Sequence, residues 1–98
     1  MIYVIATLRV KPGKLPQLLD AAKLVIAATR KEEGCVFYDL NQSVTDPDQL
    51  TFVERWTSRE ALGKHFEAPH MVPWRATGAE CLESRKVEII TPENVETK

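Results

Sequence analysis

Glu54, Trp56, His65 and His70 fall within residues 54–71, and the two histidines are the only ones in the chain. An imidazole with an ordinary pKa near ~6.5 suits a general base at neutral pH. A carboxylate set beside aromatic rings must either be paired or rise in pKa. An indole offers a stacking wall for a planar ring, although in a small domain it is also core material. Any chemistry this chain performs is expected to gather here.

The stretch reads as the end of a strand, a helix cap, one short helix and a proline stop. Leu50 to Trp56 alternates, placing Leu50, Phe52, Glu54 and Trp56 on one face and Thr51, Val53 and Arg55 on the other. Ser58 to Glu67 follows as a helix, capped by Ser58 or by a Thr57–Glu60 capping box. Its inner stripe is Ala61, Leu62, His65 and Phe66, so His65 is expected to point at the sheet. Pro69 ends it. His70 to about Cys81 is read as a shorter helix, with Pro73 acceptable only in its first turn.

The remaining elements frame that stretch. Met1 to Lys11 is a β-branched strand with Ile2, Val4, Ala6, Leu8 and Val10 on one face and Tyr3, Ile5 and Thr7 on the other. Pro12-Gly13 turns into a helix over 15–32, with Pro16 in the first turn and Gly34 closing the end. Cys35 to Val44 is a second strand, joined through Thr45-Asp46-Pro47-Asp48 to the third as an antiparallel hairpin. Tyr38 and Asn41 lie on its opposite faces. Ser84 to Thr91 is the last strand, with Val87 and Ile89 on one face and Ile90 on the other.

The order β-α-β-β-α-β, with one extra short helix, is the ferredoxin-like α+β arrangement: an antiparallel sheet with its helices on one face. Residues 1–92 are expected to form a single domain and 93–98 a frayed polar tail. The uncovered sheet face carries Tyr3, Ile5, Val53 and either Cys35 or Phe37. It is too apolar for water and predicts sheet-to-sheet packing of two subunits.

Composition narrows the function classes. Ninety-eight residues with net charge −1 give one core and no field that would draw nucleic acid. No apolar run is long enough for a membrane span, and Met1-Ile2-Tyr3-Val4-Ile5 lacks the features of a signal peptide. Two cysteines, Cys35 and Cys81, are too few to staple the fold, so free thiols in a reducing cytoplasm are expected. There is no Gly-rich phosphate loop and no nucleophile-elbow motif. His65 and His70 are five apart with Pro69 between them and cannot share a helical face, so no metal site is expected.

Three segments together, Glu32-Glu33-Gly34-Cys35-Val36-Phe37-Tyr38-Asp39-Leu40, Phe52-Val53-Glu54-Arg55-Trp56-Thr57-Ser58 and His65-Phe66-Glu67-Ala68-Pro69-His70-Met71, resemble the antibiotic biosynthesis monooxygenase (ABM) family. Lys11-Pro12-Gly13-Lys14 fits as well, and the small quinol monooxygenases are the nearest in pattern. The resemblance implies a dimeric α/β barrel with one pocket per subunit between sheet and helices. It also implies oxygenation without metal, flavin or haem: a quinol or phenol is deprotonated and its anion reduces O2 directly. His65 and Glu54 would then be catalytic, with Trp56, Tyr38, Phe52, His70, Met71 and Arg75 around a small aromatic substrate. Haem-degrading members carry an asparagine on the first strand and a histidine on the last helix. Thr7 and Arg75 stand in those places here, which argues against haem breakdown.

Several roles stay open at this level. Glu54 could orient His65, accept a proton, or pair with Arg9 or Arg75. Arg75 could stabilise a phenolate. The same pocket could shuttle protons in an isomerase of a small sugar-like ketone, or serve a non-enzymatic dimer that binds a small hydrophobe.

Overall fold

The structure is a computed structural model that describes residues 1–98. Its elements are β1 (Ile2–Val10), α1 (Leu15–Thr29), β2 (Cys35–Gln42), β3 (Gln49–Trp56), α2 (Arg59–Phe66), α3 (Met71–Cys81) and β4 (Leu82–Ile90). The sheet has the order β2-β3-β1-β4, and every neighbouring pair is antiparallel. This is the ferredoxin-like arrangement with one added helix. No helix is long and apolar enough to cross a membrane.

Strand alternation sorts the core. Ile2, Val4, Ala6, Leu8 and Val10 of β1 are buried, as are Leu50, Phe52, Glu54 and Trp56 of β3. α1 adds Leu18, Ala22, Val25 and Thr29, and packs chiefly against α3. On the opposite face Ile5, Phe37 and Ile90 remain exposed, and Arg55 lies over the rings of Tyr3 and Phe37. Cys35 and Phe37 do not share a face, as simple alternation would have it. The β2 register slips at Val36, so Cys35 pairs with Trp56 on the helix side while Phe37 pairs with Arg55 on the bare side.

Two element boundaries differ from the sequence reading, and one open choice, the cap of α2, is decided. α1 stops at Thr29 rather than Glu32, and the chain turns there through successive short backbone bonds into Gly34, at φ +88°. Glu32 therefore leaves the helix. Ser58 is the α2 cap, its hydroxyl accepting from the Ala61 amide at 3.1 Å, which decides against the Thr57 alternative. α3 runs directly into β4 at Leu82, two residues earlier than alternation suggested. Pro73 is the third residue of α3, in the first turn, where its missing amide hydrogen costs no helical bond.

Candidate active site

A cavity of about 160 Å³ lies between the helix-bearing face of the sheet and the pair α2–α3. Ala6 and Leu8 of β1, Tyr38 of β2, and Phe52 and Glu54 of β3 form its floor. His65 and Phe66 of α2 and Met71, Trp74 and Arg75 of α3 form the roof. Gly78, Leu82, Arg85 and Val87 surround the side towards β4. Tyr38 and Phe52 meet at 5.0 Å between ring centroids, and Trp74 stands edge-on to Phe52 at 5.7 Å. The space matches the ~150 Å³ of an apolar cavity known to accept a benzene ring.

His65 is the best-positioned proton acceptor. The residue is 1% exposed, its ring tilted over Trp56 at 4.7 Å and edge-on to Tyr38 at 5.4 Å. Nδ1 lies 2.7 Å from Glu32 Oε2. A carboxylate only accepts, so Nδ1 carries the hydrogen and Nε2 keeps its lone pair. His65 lines the cavity, so this second ring nitrogen is the candidate to meet whatever enters it. Burial pushes the His65 pKa below its ordinary value, against the pull of Glu32, and the nearby charges of His70 and Arg75 act with burial. The ring is neutral at pH 7 and able to take a proton.

Glu54 faces the same space from the sheet. It accepts a hydrogen bond from the Trp56 indole at 3.0 Å and has no cationic partner. Arg9 pairs instead with Asp46, and Arg75 donates to the Phe66 carbonyl. Burial raises the Glu54 pKa to about 7, outweighing the indole bond, and Glu32 adds to the rise. Burial, with Glu54 beside it, also drives the Tyr38 phenol far above its ordinary value, so it stays protonated.

Of the residues expected at the site, Tyr38, Phe52, Glu54, His65, Met71 and Arg75 line this cavity. Trp56 does not. It is wholly buried beneath His65 and Tyr38, so its ring stacks on the imidazole instead of forming a wall for substrate. His70 is also off the cavity. Its Nε2 lies 2.9 Å from Glu32 Oε2 and 3.3 Å from Thr29 Oγ1, beside the α1–α3 groove. The carboxylate that orients His65 is Glu32, not Glu54.

The two histidines do meet. The turn after Pro69 folds His70 back, and Glu32 receives both rings on one oxygen. The three donor atoms lie within 4.8 Å of one another, a two-imidazole, one-carboxylate set of the kind that binds divalent transition ions. Helical spacing could not anticipate this, because the contact runs through a turn. The 2.7 and 2.9 Å separations are hydrogen-bond lengths. Ligands ~2.0–2.1 Å from one tetrahedral zinc would have to stand further apart.

The comparisons with known proteins agree with this architecture. The sequence pattern of the family described as antibiotic biosynthesis monooxygenase matches residues 1–77. The chain belongs to that family. It is 31% identical over 93 residues to "Putative monooxygenase YcnE" of Bacillus subtilis, covering 95% of this chain and 97% of that protein. It is 40% identical over 84 residues to "Putative monooxygenase Rv0793" of Mycobacterium tuberculosis, covering 83% and 79% of the two chains. The solved structure of Rv0793 superposes with a TM-score of 0.90 at 32% identity, over 98% of both chains. Membership of that family makes a monooxygenase-like function the expectation for this chain.

Proposed function

We propose that this ABM protein oxygenates a small electron-rich aromatic, a quinol or phenol, with O2 and no cofactor. The observation that carries the reading is the neutral His65. It is fixed by Glu32 through Nδ1 and stands at the wall of an aromatic cavity of one-ring size. His65 Nε2 removes a phenolic proton, and the resulting anion is the reductant. A ring carbon beside the oxyanion bonds to O2, and the peroxide takes a proton. A base then removes that carbon's hydrogen, the O–O bond breaks and water leaves. For a hydroquinone the balance is hydroquinone plus O2 giving hydroxyquinone plus water, with all four electrons from the ring. Glu54, poised to exchange a proton near pH 7, is the second proton-transfer group such a sequence needs. The reading places the protein in the cytoplasm as a homodimer, closed through the bare sheet face.

Oxygen uptake by the purified, metal-stripped protein against reduced naphthoquinols, anthrones and single-ring hydroquinones tests it. Enzyme-dependent uptake above autoxidation is expected, greatest for the ring that fits the cavity. Its absence throughout would shift weight to a second reading that the paired Glu54 and His65 favour: proton shuttling in the isomerisation of a small ketone. Solvent deuterium entering the substrate would identify that reaction.

A further inference from the structure

The mouth of the cavity carries two guanidinium groups without a carboxylate. Arg75 of α3 and Arg85 of β4 line the cavity, and both also line an adjoining hollow of about 280 Å³ with Gly78, Leu82 and Ser84. Neither takes part in any of the molecule's ion pairs. Other arginines are accounted for: Arg9 and Arg30 pair with aspartates, and Arg55 and Arg59 lie over aromatic rings. Arg75 spends one donor on the Phe66 carbonyl, and Arg85 has no side-chain partner at all. Each guanidinium has five N–H donors in a planar fork that matches a carboxylate. Two like charges on one lining, with most donors unengaged, offer a carboxylate the charge-assisted bonds it accepts.

The layout also fixes the direction. Arg85 pairs across β1 with Leu8, and Glu54 pairs across it with Val4. Four residues of strand separate the two registers by ~13 Å. Glu54 is buried while Arg75 and Arg85 are exposed, so the cavity has an acidic inner end and a basic solvent-facing end. Gly78 lines both the cavity and the adjoining hollow together with the two arginines, and has no side chain to fill either.

We infer that the substrate is a ring acid: an aromatic whose carboxylate is clasped by Arg75 and Arg85 while its ring lies against Tyr38, Phe52 and Trp74. The inference rests on the aromatic-substrate reading above and adds the anionic substituent. Charge-assisted bonds to a carboxylate should favour the acid over its neutral ester by at least about tenfold in affinity.

The test uses anaerobic titration of the full-length protein with 2,5-dihydroxybenzoate and with its methyl ester, followed by calorimetry, with oxygen uptake measured separately. The acid is expected to bind at least about tenfold more tightly. Arg85→Gln should weaken acid binding more than ester binding and so remove that preference, and Arg85→Lys should restore part of it. Arg85 has no partner within the fold, so these variants leave the scaffold intact. Equal affinity for acid and ester, an unchanged preference in Arg85→Gln, or inorganic phosphate binding as tightly as the ring acid would each overturn the subsite. Arginine-dependent acid binding without oxygen uptake would uphold the subsite and sink the oxygenation reading. Uptake with hydroquinone and no acid preference would do the reverse.

Discussion

At the scale of single residues, the proposed reaction depends on Glu32 holding one tautomer of His65. His65→Ala should lower oxygen turnover by about 10²–10⁴-fold, the usual worth of a general base, while circular dichroism still reports the fold. Glu32→Gln still accepts from Nδ1 but no longer favours the imidazolium. Because Glu32 raises the His65 pKa, its loss lets that pKa fall, and the acid limb of kcat/KM should move to lower pH. An unmoved limb would mean that His65 is not the titrating base. Glu54 makes a separate prediction. Its pKa rises from an ordinary 4.5 to about 7 on folding, so the native state binds more protons than the unfolded one between those values. Stability should therefore fall as pH rises through that window, by about 3 kcal/mol at most for this buried group. Urea unfolding at pH 5 and pH 8 should show Glu54→Gln gaining on the wild type at the higher pH. His65 acts oppositely: its lowered pKa costs stability as pH falls below 6.5. Part of this constellation is legible in the sequence. Strand alternation alone assigns Phe52 and Glu54 to one face, and helical spacing turns His65 towards it. Glu32 is not legible, because it reads as one more polar residue at a helix end until the stop at Thr29 is known. Arg85 is equally hidden, being a charged residue on an edge strand.

At the scale of elements, the site depends on how α2 is seated, and Gly34 sets that seat. Gly34 has φ +88°, and its carbonyl accepts the Thr57 amide at 2.9 Å. A Cβ there would stand 2.5 Å from Ala61 Cβ and 2.9 Å from Thr57 Oγ1. Gly34→Ala thus combines left-handed backbone strain with an overlap against the first turn of the helix that carries His65. A loss of about 2–4 kcal/mol is expected by chemical denaturation. Turnover should fall as well, because α2 must shift away from Glu32 to make room. Gly13 gives the control: it has φ +79° but open space around its Cβ position, so Gly13→Ala should cost only the backbone strain and leave turnover alone. Equal losses at the two positions would show that the overlap is relieved without moving α2. The type and order of the elements follow from hydrophobic period and from Gly and Pro punctuation. The Val36 bulge and the abrupt α3–β4 junction do not, because each is a register decision made by tertiary pairing.

At the scale of the whole molecule, the sheet has two faces of unlike fate. The helix side buries sixteen hydrophobic residues in one cluster. The other side presents Tyr3, Ile5, Phe37, Val53 and Ile90, with Arg55 laid over two of those rings. β4 adds Lys86 and Glu88 on the same face, so charge lies towards that edge and the apolar patch lies inward. Two such faces can pack at the usual ~10 Å between sheets, and a stable pair needs ~1,200–2,000 Å² of buried surface. The proposed homodimer makes a prediction independent of the chemistry. Sedimentation equilibrium of the wild type should give twice the chain mass, whereas an Ile5→Asp, Val53→Asp variant should give the mass of one chain. These positions pair directly across the β1–β3 ladder, so in a two-fold dimer the change would place four carboxylates near the centre of the interface. Both residues point away from the cavity, so the variant also separates assembly from catalysis. A monomer that still consumes oxygen would show that each cavity is complete within one chain. An inactive monomer would mean that the second subunit holds the sheet, and with it Glu54 and Tyr38, in working register. A wild type that sediments as a single chain would overturn the sheet-to-sheet dimer and leave the apolar face without its proposed partner.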